Sequence, residues 1–104
     1  MARFDIYTHP EAKARAKTPY LLDIQNNRIS RLGTRVVLPL RSAAHFLQPM
    51  DDLNPAFEVE GMHVVLDTAA LAAFPATELK KPVLNLQNQS QAILAALDVL
   101  FGAY

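Results

Sequence analysis

Apolar segments of period two, each cut short by proline, glycine or paired asparagines, fill most of the chain before residue 87, and only the last stretch changes to helical spacing. That order leaves few architectures open. Short strands with frequent turns fold into a small antiparallel barrel or folded sheet, and one helix is left to close it. Phe4, Ile6 and Thr8 alternate with Arg3, Asp5 and Tyr7, as in a half-buried strand stopped by Pro10. The polar residues 10–18 are fenced by Pro10 and Pro19 into a stretch too short for a stable helix, which predicts a mobile loop. Tyr20, Leu22 and Ile24 alternate with Leu21, Asp23 and Gln25 in a second strand, ending at Asn26 and Asn27, residues that tolerate left-handed backbone in a turn.

Thr34 to Leu40 reads as a β-branched strand whose Pro39 belongs at a sheet edge or a bulge, because proline donates no ladder hydrogen bond. Arg41 to Asn54 reads mostly as loop, with one helical turn begun by Ser42. Phe57 to Leu66 reads as a hairpin with Gly61 in its turn. Asp67 to Ala76 suits either a helix or a buried strand, with Pro75 ending it. Val83 to Leu86 is a short strand, and Gln87, Asn88 and Ser90 offer caps for the closing helix. In that helix Ile93, Leu94, Leu97, Leu100 and Phe101 fall on one side, so the helix is core up to Leu100.

The 104 residues make one domain, 1–104, large enough for a core yet near the size at which dimerisation often adds buried surface. Ten basic and ten acidic residues cancel, which weighs against non-specific nucleic-acid binding. The charges are segregated, however: Arg3 to Arg41 holds eight basic and three acidic residues, and Ser42 to Leu79 holds six acidic and none basic. The absence of cysteine excludes disulfides, thiolate nucleophiles and thiolate metal sites. No signal-peptide pattern and no apolar run of membrane length are present, so a cytoplasmic protein with no membrane partner is expected.

Chemistry-bearing motifs are missing. There is no nucleophile elbow, phosphate-binding glycine loop or zinc-protease pattern, and His9, His45 and His63 are scattered without metal-ligand spacing. His45, amid Ala, Phe and Leu, suits a packed or surface residue better than a ligand. Glu58 and Glu60 share a strand face, where solvation explains them better than acid/base work. These absences leave an enzyme without positive support, and no catalytic residue, metal or cofactor is assigned.

Two strand motifs carry something more specific. Tyr20-Leu-Leu-Asp-Ile-Gln-Asn26 followed by Thr34-Arg-Val-Val-Leu-Pro-Leu40 resembles the F-V-D-V-Q-S and R-R/T-R, V-I-P-L segments of the CcdB toxin family, and Thr68 to Pro75 resembles its T-T-D-M-A-S-V-P segment. The resemblance implies an SH3-like antiparallel β-barrel with a small extra sheet and a C-terminal helix. It further implies a homodimeric toxin of a plasmid or chromosomal type II toxin–antitoxin module, not an enzyme. Such a toxin binds the A subunit of DNA gyrase, traps its cleaved-DNA intermediate and is removed by a CcdA-like antitoxin.

Carried over residue by residue, the resemblance puts the gyrase contacts at Arg28, Ile29, Asp98, Phe101, Gly102, Ala103 and Tyr104, and the antitoxin contacts at Asn26, Arg28, Arg31 and Asp98. The family's tail Phe-Trp-Gly-Ile then falls on Phe101 to Tyr104, with Gly102 in the place of the tryptophan and Tyr104 as a substitute ring. Two alternatives stay open. One is a ribonuclease of the related MazF/Kid fold, with Arg31, Arg35 and His45 as candidates for an RNA groove. The other is a non-toxic homologue that still binds antitoxin.

Overall fold

A computed structural model describes residues 1–102. Seven strands and one helix follow one another: β1 (Asp5–Thr8), β2 (Tyr20–Asp23), β3 (Thr34–Ser42), β4 (Ala56–Val59), β5 (Met62–Leu66), β6 (Ala72–Pro75), β7 (Leu84–Asn85) and α1 (Ser90–Phe101). All strand pairings are antiparallel, in the order β4-β5-β3-β2-β1-β7, and the sheet curls into a nearly closed barrel. The seven-stranded sheet branches where β6 pairs with the first half of β3, opposite Thr34 to Val37, while β5 pairs with its second half.

That change of partner explains how Pro39 lies inside the central strand, not at an edge or bulge as the sequence predicted. Pro39 sits between the part of β3 paired with β6 and the part paired with β5, and its carbonyl accepts from Asp67 N at 2.9 Å. In an antiparallel strand a residue's N and O face the same neighbour. The missing N–H therefore points into the gap where one partner hands over to the next, and the ladder to β2 through Leu21 is intact.

The strands are buried more completely than their alternation implied. Ile6, Leu22, Leu38, Leu40, Val64 and Leu66 form the main core with Ile93 and Ala96 of α1, whereas Tyr7, Leu21, Val37 and Leu79 form a second cluster. β1 and β2 are covered on both faces, so neither is a half-buried strand. β1 also begins two residues later than its period suggests, since Phe4 takes left-handed φ 73° and turns its N–H to Asp23 O at 2.6 Å. The turn at Asn26 uses ordinary negative φ instead of a left-handed residue.

The hairpin is as read: Glu60 and Gly61 have φ 52° and 79°, the mirror-image turn that matches strand twist. Glu60 is exposed but not merely solvated. Its Oε1 accepts from Tyr20 Oη at 2.6 Å, tying the hairpin tip to β2. Burial, the Glu60 bond and the Glu60 charge together push the Tyr20 hydroxyl up to about 12. Tyr20→Phe is expected to lower stability by about 1 kcal/mol, measured by chemical denaturation.

Residues 12–14 make one 3-10 turn within the polar loop, and Ser42 starts another at Ala43–His45. His9, nearly buried, accepts Glu11 N–H on Nδ1 at 3.1 Å and meets Phe74 edge-on at 5.7 Å between centroids. Burial is the main reason its pKa is held below 6.5. The folded state therefore favours neutral His9, and this contribution is complete above 6.5 and lost as pH falls through the lowered folded value. Thermal melts of His9→Gln and the wild type are expected to diverge above that window and converge below it.

Candidate functional site

The motif pair that carries the resemblance builds a buried polar knot. Arg35 and Asp23 are both wholly shielded, with Arg35 Nε donating to Asp23 Oδ2 at 2.8 Å and Nη2 lying 2.7 Å from the same oxygen. Neither Nη1 nor Nη2 makes a hydrogen bond, so Nη2 meets the carboxylate only as an ion pair. The other carboxylate oxygen, Oδ1, accepts from Gln25 N at 2.9 Å. Burial pushes the Asp23 carboxyl up, and the Gln25 N–H and the guanidinium pull it back toward the charged form.

The knot positions the loop that follows. Gln25 Nε2 donates to Ile29 O and its Oε1 accepts from Val36 N, both at 3.0 Å, so one side chain clamps the loop to β3. Asn26 Oδ1 accepts from Arg28 N at 2.9 Å and caps the 3-10 turn Asn27–Ile29, and Arg3 N donates to Asn27 Oδ1 at 2.9 Å. The turn is thus fixed from both sides, and Asn26, Arg28, Ile29 and Arg31 all project into solvent. Ile29 and Leu32 are each about half exposed, so the turn offers two cations beside two apolar side chains. Removing the cap with Asn26→Ala is expected to cost about 1 kcal/mol and to raise amide exchange at Arg28 and Ile29.

The second group lies on α1. Only Ile93 and Ala96 are buried, with Leu97 packed against the main core. Leu94 and Leu100 are not core, contrary to the sequence expectation, and Phe101, beyond the expected core, is exposed. Leu94 is 38% exposed and Phe101 69%, and the seven-residue spacing places them on one side of the helix, turned from the buried seam. The expected caps at Gln87, Asn88 and Ser90 do not form. Asn85 Oδ1 instead accepts Gln87 N at 2.8 Å at the preceding 3-10 turn, and no side chain caps α1 itself.

The helix ends at Gly102, which adopts left-handed φ 73° and donates its N–H to Asp98 O at 2.9 Å. This is the usual glycine stop, in a conformation costly for residues with a Cβ. The Asp98 side chain is exposed. Ala103 and Tyr104, expected at the gyrase contact, lie outside the described residues. Among the described residues, no hydrogen bond or ion pair joins the Asn26–Arg31 turn to the end of α1.

The three candidates for an RNA groove are not assembled. Arg35 is consumed in the buried ion pair, whereas Arg31 and His45 are exposed on separate turns. A transition-state role needs a guanidinium that a phosphate can reach, and Arg35 has no exposed surface.

Sequence reasoning missed the clamp made by Gln25 and the exposure of Leu94 beside buried Ile93. The signal for the first was a polar residue directly after a strand. For the second there was none, because neighbouring leucine and isoleucine positions differ only in which side of the helix meets the sheet.

The family model described as CcdB protein matches residues 3–102 of the chain. No curated protein matches it.

Proposed function

Because the chain belongs to the CcdB family, toxins of toxin–antitoxin modules, we propose that it acts as a homodimer that binds the A subunit of DNA gyrase through the ends of its C-terminal helices and traps the cleaved-DNA complex. The observation that supports this reading is an apolar stripe on α1, where Leu94 and, at the C-terminal end, Phe101 stand uncovered beside exposed Asp98 while Ile93, Ala96 and Leu97 pack on the core. Exposed aromatic and leucine side chains on a rigid element are the kind of anchors that dominate protein interfaces.

The stop at Gly102 also supports a tail register one residue different from the simplest end-to-end match. With Gly102 taken as the family's tail glycine, Phe101 stands where the tryptophan stands and Leu100 where the phenylalanine stands. Left-handed backbone at Gly102 favours this register, since an aromatic side chain in that conformation would be strained.

The antitoxin contact in this proposal uses Asn26, Arg28, Arg31 and Asp98, and the turn supplies two cations for an acidic segment that orders on binding. An Arg28→Glu, Arg31→Glu double variant tests that half. Affinity for antitoxin is expected to fall with a weaker salt dependence, and unchanged affinity contradicts it. For the gyrase half, expression without antitoxin is expected to arrest growth, and truncation after Leu100 is expected to abolish the arrest. Growth unaffected by the full chain would leave only the reading as a non-toxic homologue.

A further inference from the structure

A second surface feature lies away from both groups. Thr8, Pro10, Arg15, Glu78, Lys80 and Lys81 line a concavity of about 280 Å³. Leu79, between Glu78 and Lys80, is anchored in the second core cluster, whereas α1 packs on the main one, so the concavity and the helix tip are built on different packing units.

We propose that this concavity binds a phosphomonoester dianion carried by a small molecule. Three cations and one carboxylate line it, and among the described residues none of the four joins an ion pair, which leaves two positive charges uncompensated around the concavity. A cleft lined by one sign of charge concentrates counter-ions.

Arg15 is already oriented. Its Nε donates to His9 O at 2.7 Å and its Nη2 to Pro10 O at 3.5 Å, so backbone carbonyls hold the guanidinium plane and Nη1 remains for a ligand. A held guanidinium loses little entropy when its Nη1 donates to a phosphate oxygen, and the flexible ammonium groups of Lys80 and Lys81 add point charge. Lys80 Nζ is spent only on a long 3.4 Å contact with Thr77 O.

Size and charge select within the oxyanions. The volume lies at the lower end of the roughly 300–1,000 Å³ common for ligand pockets, enough for a phosphate group and a small body. Two surplus positive charges match a dianion better than a single carboxylate. A nucleic-acid backbone would call for an extended basic stripe and a net positive chain, and this chain is neutral.

Titration of the isotope-labelled full chain with inorganic phosphate and with phenyl phosphate, at constant ionic strength, tests the site. Saturable amide shifts confined to the surroundings of Thr8, Arg15 and Lys80 are expected in the millimolar range or below, with phenyl phosphate the tighter. The Lys80→Ala, Lys81→Ala double variant and Arg15→Gln are each expected to weaken binding about tenfold or more, which is the effect of losing one charge-assisted contact. Both lysines are exposed, and an unchanged spectrum elsewhere verifies the fold. Equal shifts with chloride, absence of saturation, or unaltered affinity in both variants would overturn the assignment. So would tighter binding of a glutamate-rich peptide or a short single-stranded oligonucleotide than of phenyl phosphate.

Discussion

Replacing Arg35 by methionine is expected to destabilise the protein by about 3–5 kcal/mol, because it leaves the Asp23 carboxylate buried with no counter-charge. Both side chains have zero exposure, so water cannot take over from the lost partner. The change should appear as a lower denaturant midpoint with an unaltered slope, the mark of lost stability without a change in the surface exposed. The pair itself is imperfect, since Nη1 has no acceptor and one carboxylate oxygen receives both guanidinium contacts. An Asp23→Leu, Arg35→Met double variant is therefore expected to be more stable than Arg35→Met alone, because no uncompensated charge remains. A single-variant loss below about 1 kcal/mol would mean that the ion pair is not buried in solution.

The same variant bears on function through position. Asp23 holds Gln25, and Gln25 clamps Ile29 to β3. Arg35→Met should raise hydrogen exchange in the Asn27–Ile29 turn even under conditions where the barrel stays folded.

Phe101→Ala is expected to weaken binding to the gyrase A subunit by about 2 kcal/mol or more, roughly thirtyfold, while the protomer's own stability changes by less than about 0.5 kcal/mol. The disparity follows from exposure. At 69% exposed, the ring contributes little packing within the protomer, so its energy is available to a partner. Calorimetric titration against the purified A subunit gives the affinity, and sedimentation at the same concentration separates a lost gyrase contact from a weakened dimer. Leu94→Ala, on the same side of the helix and half as exposed, should have a smaller effect in the same direction.

Much of this was legible from residue types. The hairpin could be read from Gly61 between two apolar runs, because a mirror-image turn demands the positive φ that glycine adopts freely. Strands β1 and β2 could be read from period two, yet their double-sided burial could not, since alternation with polar residues such as Asp23 and Gln25 looks like a solvent face. Asp23 is instead buried because Arg35, twelve positions away, provides the charge and hydrogen bond that burial requires, and Gln25 because Ile29 O and Val36 N satisfy its amide. Pro39 misled for a related reason: whether a missing donor matters depends on which partner strand lies opposite, and the switch from β6 to β5 is a tertiary fact.

Helical spacing placed α1 correctly and its faces incorrectly. Ile93, Leu94, Leu97, Leu100 and Phe101 span a wide apolar arc, and the sheet covers only the part around Ile93, Ala96 and Leu97. The uncovered remainder is what makes the helix end a candidate interface. For the Asn26–Arg31 turn, composition gave the charges but not the clamp that presents them.

The most direct test is a cleavage-complex assay with purified full-length protein, DNA gyrase, supercoiled plasmid and ATP, run beside Phe101→Ala. Linear plasmid with covalently attached gyrase, released by protease treatment and strongly reduced with the variant, is the predicted result. Unchanged supercoiling with no trapped cleavage at concentrations where the protein is dimeric would contradict it.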